Sequence, residues 1–364
     1  MSSKRIEEVR KNLKAQNIDG LIITNYDWMD KKASLLRYLC GYSGSTGLLI
    51  IGPKRADFFT DFRYTGQAAK EVKGAKVNIV PGDAMDALKD YKHLIQKNWR
   101  LGYDSTHFTM ANQSKMRHIW PEVLLVKADE VISETGWVKD QNELKDLQKA
   151  ADISDRAFEL ILPMIKPGIR ENELSAELEY QMIMLGSEVA AFDTICASGY
   201  RSALPHGAAS TKKVKKGDFV TFDFGATING SVSDMTRTVV VGKATDRQKK
   251  IYNTVLKAQK AGVNKVKAGV SGKAVDEVCR NIITKAGYGK QFGHGTGHGI
   301  GYFVHIGPRL SPLSKDILKV NQVVTVEPGI YIPKWGGVRI EDDVVVTKSG
   351  CKVLNKAPKN LLEL

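Results

Sequence analysis

No apolar run in the 364-residue sequence approaches the roughly 18 or more residues that a membrane helix needs. The longest, "GLLII" (Gly47–Ile51) and "TVVVG" (Thr238–Gly242), are strand-sized. The start, "MSSKRIEEVRKNLKAQ", is charged and helical in pattern, without the apolar centre of an export signal. Cysteine is scarce. Cys40, Cys196, Cys279 and Cys351 lie far apart and form no CxxC pair. That argues against a disulfide framework or a zinc–thiolate site and points to a reduced, cytoplasmic setting. Low-complexity segments and short repeats are also missing. The net charge of +14 is not concentrated enough to mark a nucleic-acid or membrane surface. Its densest cluster, "TKKVKKGD" (Thr211–Asp218), and the lysines of "RQKKIYNTVLKAQKAGVNKVKAG" read as solvated faces.

What is present is an organised two-part chain. The first ~135 residues alternate helix and strand. A helix at Ser3–Gln16 precedes a strand at Gly20–Thr24, and strands follow at Thr46–Ile51, Ala56–Thr60 and Val77–Val80. Near Gly136 the pattern changes to two helices, the second ending at glycine in "RENELSAELEYQMIMLG". This places a boundary around Ser133–Lys139. Beyond Glu188 the chain is rich in strands and glycine, with helices expected at Asp246–Lys267 and Ser271–Ala286.

In "FVTFDFGATINGSVSDMTRTVVV" (Phe219–Val241), Asn229-Gly230 is the strongest short hairpin signal. With a two-residue turn, Ile228 pairs with Ser231 and Asp234 lies opposite Gly225. Asp223 then shares a face with Asp234 as its diagonal neighbour, with Cβ atoms up to about 7–8 Å apart. Aspartate is a poor strand former, and two buried carboxylates repel unless a cation joins them. The alternative is that both face water. Glu327 ends a β-branched strand before Pro-Gly. Glu341 shares a strand face with Arg339, as an ordinary Arg–Glu pair also would.

"FGHGTGHGIG" (Phe292–Gly301) places His294 and His298 four residues apart, as on a metal-binding helix. Glycine at every second position makes a helix costly, at roughly 0.8–1 kcal/mol each relative to alanine. The glutamate that such a motif needs after the first histidine is Gly295. No register supplies a dinucleotide or phosphate loop. In an extended chain the two histidines stand about 13 Å apart, so at most one is a direct ligand of a given ion. The glycines let backbone or ligand approach closely. Including His206 and His305, four of the seven histidines fall in this part of the chain. One histidine and four carboxylates suit two divalent ions, with manganese, cobalt, zinc and iron all compatible by ligand type.

In the order Asp223, Asp234, His298, Glu327, Glu341, the chain resembles the metallopeptidase family with the pita-bread fold, which includes aminopeptidase P, Xaa-Pro dipeptidase (prolidase) and methionine aminopeptidase. The resemblance runs through "SALPHG", "GDFVTFDFGA", "SDMTRT", "GHGTGHGIG", "VHIGPRLSP", "VEPGIY" and "GVRIEDDVVV". "YLCGYSGSTGLLII" and "FFTDFRYTGQA" look like the N-terminal domain of the proline-directed members. It implies an α/β domain of creatinase/prolidase N-terminal type over residues 1–135. An α+β pita-bread catalytic domain with a pseudo-two-fold antiparallel sheet would follow over residues 136–364.

By the same resemblance, Asp223, Asp234, His298, Glu327 and Glu341 hold two metal ions, manganese being expected, with a bridging hydroxide as nucleophile. Glu327 takes the proton of that water. His206 and His305 contact substrate and stabilise the tetrahedral intermediate, and His294 lines the proline side. Arg339 and Tyr331 support the carboxylates and the pocket. The implied activity is hydrolysis of the X–Pro bond of dipeptides or short peptides by a homodimer. Aminopeptidase P action on longer peptides is the alternative. A methionine aminopeptidase leaves the N-terminal domain unexplained, creatinase works without metal, and non-catalytic binding modules usually lose ligands, whereas all five are present here. Two departures from the family's usual residues bear on substrate length and N-terminal recognition: Tyr302-Phe303, with Ile306 where an acidic residue is common, and Phe62 in place of a small residue.

Overall fold

The apolar runs near the N-terminus form one mixed sheet in the computed structural model, which describes residues 2–25 and 35–364. The chain divides into two units, Met1–Gly136 and Trp137–Leu364. In the first, β1 (Gly20–Asn25), β2 (Gly47–Ile51), β3 (Ala56–Asp61), β4 (Lys76–Val80), β5 (Arg100–Tyr103) and β6 (Leu124–Lys127) are ordered β4-β3-β2-β1-β5-β6. The β1–β2 and β2–β3 pairs are antiparallel; the remaining neighbours run parallel. β2 and β3 are buried along their whole length, which is why "GLLII" reads as a continuous apolar run. Asp57, buried in β3, is satisfied by Arg55 at 2.6 Å and Asn78 at 3.3 Å.

The second unit uses one plan twice, two helices followed by antiparallel strands. The helix Gln141–Ile161 opens on a capping box between Asp140 and Glu143, and packs with the helix Glu171–Met184. β7 (Ile195–Ser198), β8 (Phe219–Phe224), the short β9 (Thr227–Ile228) and β10 (Ser231–Val232), and β11 (Met235–Val240) follow. The helices Asp246–Lys265 and Gly272–Lys285 then precede β12 (Gly297–Gly299), β13 (Ile306–Leu310), β14 (Val323–Val326), β15 (Gly329–Ile332), β16 (Gly336–Arg339), β17 (Asp342–Val346) and β18 (Cys351–Val353). The main sheets are β11-β8-β7 and β13-β12-β14-β17-β18.

Strand alternation decides which face becomes functional. Phe222 and Phe224 pack against Phe158 of the helix Gln141–Ile161, with ring centroids about 6 Å away. Asp223, between them, points to the other face. In the second half, Val324, Val326, Val344 and Val346 pack with Val263, Val266 and Val275 from the helical side. The helices thus cover the apolar faces and leave the opposite ones for polar side chains.

The hairpin keeps the register set by its turn. Asn229 and Gly230 both have positive φ, and Ser231 pairs with Ile228. The same offset continues to Met235↔Phe224 and Thr236↔Asp223. Glu341 differs from the expectation of a place inside a strand. β16 pairs with β15 and ends at Arg339, whereas β17 pairs with β14 and begins at Asp342. Glu341 stands at this change of partner, its N–H donating to the Thr236 carbonyl at 3.2 Å.

Candidate metal centre

Asp234, His298 and Glu341 each bring a ligand atom within 4.8 Å of the others, and all three are buried. Asp234 enters from the residue just before β11, His298 from the centre of β12, and Glu341 from the β16–β17 junction. Glu327 follows the last residue of β14, its N–H donating to the Thr296 carbonyl at 2.7 Å. Its Oε1 lies 3.6 Å from His298 Nε2, which is 3.7 Å from Asp234 Oδ2. Asp223 is beside this trio rather than in it. Its Oδ2 accepts from Arg339 Nη2 at 2.5 Å, and its buried Oδ1 has no hydrogen-bond partner among the described residues.

Burial makes this collection of acids untenable as bare anions. Desolvation pushes Asp234 and Glu341 well above the usual carboxylate range; Glu341 and Asp223 add to the shift at Asp234, Glu327 and Asp223 to that at Glu341. Glu327 is pushed up to about 8 by burial, with Arg339 opposing and Asp223 adding. His298 is pulled down to about 3 by burial, with His305 next. Carboxylates that resist ionising, one neutral imidazole and an orphaned carboxylate oxygen form a donor set that a divalent cation satisfies.

Arg339 ties the donors together. Its Nε donates to Thr236 Oγ1 at 2.9 Å, and that hydroxyl donates to Glu341 Oε2 at 2.6 Å. Its Nη1 reaches Tyr331 Oη at 2.8 Å and the Pro205 carbonyl, next to His206, at 3.2 Å. Tyr331 in turn lies 2.9 Å from His294 Nε2. His206 is exposed after the short turn Gly199–Ala203. His305 is exposed just before β13, its ring 4.3 Å from that of His298. Asp342, facing away from the cluster, is completely buried with Arg237 at 2.8 Å and with Lys359.

Two of the glycines of Phe292–Gly301 are set by the protein's own backbone rather than by a ligand. A Cβ on Gly297 would fall 2.0 Å from the Thr325 carbonyl oxygen of β14, and one on Gly299 2.0 Å from the Gly307 carbonyl oxygen of β13. The space beside His298 is filled by the protein's own neighbouring strands. Two further groups stand at the site without a motif of their own. Thr236 was accessible from the hairpin register, which sets it opposite Asp223. Arg309 pairs with His298 across β12–β13, on the same face. It is exposed, and its side chain makes no hydrogen bond or ion pair among the described residues. Its charge acts on His298, His305 and Glu327. No sequence signal set that register, because the Ile300–His305 loop and a bulge at His298–Gly299 intervene.

Comparison with known proteins identifies the family. Residues 145–348 match metallopeptidase family M24, and residues 5–135 match the creatinase/prolidase N-terminal domain. A solved Xaa-Pro dipeptidase from Bacillus anthracis is similar over 100% of both chains, with 43% identity and a TM-score of 0.93. An X-Pro aminopeptidase from Thermotoga maritima is similar over 99% of both, with 36% identity and a TM-score of 0.89. A Xaa-Pro dipeptidase of Pyrococcus horikoshii is 37% identical over 99% of both chains. The chain therefore belongs to metallopeptidase family M24, with the pita-bread catalytic fold behind a creatinase/prolidase N-terminal domain.

Proposed function

We propose that this protein is a Xaa-Pro dipeptidase that works with two divalent metal ions held by Asp223, Asp234, His298, Glu327 and Glu341. The observation that carries the reading is the convergence of buried, ionisation-resistant carboxylates on neutral His298. Manganese is the metal favoured, with cobalt, zinc and iron suiting the same donors. Ions bound there supply Lewis acidity toward the scissile carbonyl and lower the pKa of a water.

The chain's own residues do the rest. Glu327, whose carboxylate would be kept ionised by a bound cation, accepts the proton of the attacking water and returns it to the leaving proline nitrogen. His206 and His305, at the exposed edge of the cluster, stabilise charge developing on the carbonyl oxygen. Arg339 orients Asp223 and, through Thr236, Glu341. His294 and Tyr331 line the proline side. Arg309 favours a dipeptide over the N-terminus of a longer peptide. It is an uncommitted cation beside the reacting groups, suited to the free carboxylate that a dipeptide carries directly on its proline. The family resemblance supports a homodimer, and four unbridged thiols suit the cytoplasm.

The test is hydrolysis of Ala-Pro and Ala-Pro-Pro by manganese-loaded protein, with and without chelator. Turnover of Ala-Pro should exceed that of Ala-Pro-Pro and vanish on chelation. Arg309→Met should raise KM for Ala-Pro about tenfold, the equivalent of one charge-assisted contact. Activity that survives chelation, or no activity after metal loading, refutes the reading. Equal effects of Arg309→Met on both peptides remove the assignment of Arg309.

A further inference from the structure

Asp276 and Arg280 stand one turn apart on the helix Gly272–Lys285, outside the metal cluster. Asp276 is completely buried. Its carboxylate accepts Arg280 Nε at 2.7 Å and Nη2 at 2.8 Å. It also accepts the Thr296 N–H at 3.1 Å and Thr296 Oγ1 at 2.9 Å. Arg280 then donates through Nη1 to the Phe292 carbonyl at 2.9 Å and through Nη2 to the His294 carbonyl at 2.7 Å. Its guanidinium lies over the Phe292 ring, 4.3 Å from the centroid. The fork is rigid and planar, so it fixes both carbonyls relative to one another, which a lysine ammonium does not do. The pair clamps Phe292–Thr296 onto the helix.

With the backbone so held, donor and acceptor chemistry assigns the protons of His294. Burial pulls its pKa down to about 4, the Gly295 carbonyl opposing and Arg339 and Arg280 adding, so the ring is neutral. The Gly295 carbonyl only accepts, so Nδ1, 2.7 Å away, carries the hydrogen. Nε2 is therefore bare and accepts from Tyr331 Oη at 2.9 Å. Tyr331 is free to donate there because its oxygen accepts from Arg339 Nη1. Phe292 packs edge-on against the same ring, at 5.1 Å and 89°. Both ring nitrogens of His294 are thus occupied within the protein.

We propose that Arg280 is a positioning residue for the proline side of the site. By pinning the Phe292 and His294 carbonyls it holds His294 as the Nδ1–H tautomer capped by Tyr331. The ring then offers the substrate an apolar wall and no hydrogen bond. A proline residue in X–Pro linkage presents an apolar ring and no N–H, so such a wall matches it and gains nothing from a free donor. The role in recognition rests on the Xaa-Pro reading of the site; the tautomer lock does not.

The experiment compares wild type with Arg280→Met, as full chains loaded with manganese for kinetics and metal analysis. The imidazole ¹⁵N spectrum is read on metal-free protein, with His294→Phe for assignment. Wild type should show a protonated Nδ1 and a bare Nε2 at His294, and Arg280→Met a mixture of tautomers. KM for Ala-Pro should rise about tenfold with little change in kcat, as loss of uniform binding requires, while metal content stays at the wild-type level. An Nε2-protonated His294 in wild type overturns the proposal. So does an Arg280→Met protein with unchanged His294 signals and unchanged KM, or one whose metal content and kcat fall together. If Arg280→Met does not fold, Arg280→Lys, which keeps a charge beside Asp276, is judged by the same readouts. Wild type inactive on Ala-Pro would overturn the functional reading, while the spectrum still decides the lock.

Discussion

Replacing Gly299 by alanine tests the account of the glycine-rich strand against its neighbour Gly293. At Gly299 the added Cβ would lie 2.0 Å from the Gly307 oxygen, 2.5 Å from its carbonyl carbon and 3.0 Å from the Pro308 nitrogen. All three are backbone atoms, so no side chain can swing aside. Carbon and oxygen in contact need well over 3 Å, so β12 and β13 must part by more than about 1 Å. The gap opens where the register already shifts, between His298 and Gly299. Overpacking of this kind costs about 1–3 kcal/mol, and rigid neighbours put this case at the upper end. For a unit of this size each kcal/mol moves Tm by about 2–4 °C, so a fall of about 6–12 °C is expected. Displacing His298 by about 1 Å should also lower turnover by about 10²-fold. At Gly293 an added Cβ meets nothing within 4 Å, and its φ is not in the left-handed region. Gly293→Ala should stay within about 0.5 kcal/mol of wild type. Thermal melts and X–Pro hydrolysis of the two variants decide the matter. Equal melting temperatures and equal turnover would refute the claim that neighbouring backbone, rather than substrate, dictates Gly299.

Arg237 is buried with Asp342 and also donates to the carbonyls of Thr236 and Glu341. Arg237→Met should therefore destabilise the unit by about 3 kcal/mol, read by denaturant unfolding, because it leaves buried Asp342 with Lys359 and Gln259 alone and takes the donor from two buried carbonyls. Adding Asp342→Leu should recover part of that loss, and an additive double variant would contradict the pairing. Burial raises the Cys40 and Cys279 thiols to about 12 and Cys196 well above its ordinary value. A thiol with a raised folded pKa stays protonated at pH 8, and its contribution to stability is lost as pH climbs from about 9 toward 12. Only Cys351, half-buried and raised less, should react with a thiol reagent at pH 8 in the native state. Native labelling of all four at once would show that the core opens.

Legibility in the sequence followed the range of the interactions. The hairpin register was readable because Asn229-Gly230 admits only turns with two positive φ values, and one local choice sets every pair out to Thr236↔Asp223. Alternation then put Asp223 opposite the Phe222–Phe224 face without reference to the rest of the chain. Alternation also sets Glu341 on the face of Arg339, and both reach Thr236, but the strand it implies breaks before Glu341. The break between β16 and β17 is a change of partner strand, which local pattern does not encode. For Phe292–Gly301, glycine spacing excluded a helix. What fills the space beside Gly297 and Gly299 depends on β14 and the start of β13 arriving from further along the chain, and only their packing distinguishes a neighbouring carbonyl from a substrate. Arg309 and Arg280 lie further along the same gradient. One is placed by a register that crosses a loop, the other by a helix docking onto the irregular segment before β12, and neither contact is encoded by local pattern. The residues proposed to bind directly therefore stand out by chemical type, as acids and histidines where a strand should be apolar. The residues that aim them are ordinary surface-type side chains, whose roles exist only once the fold has brought their partners together.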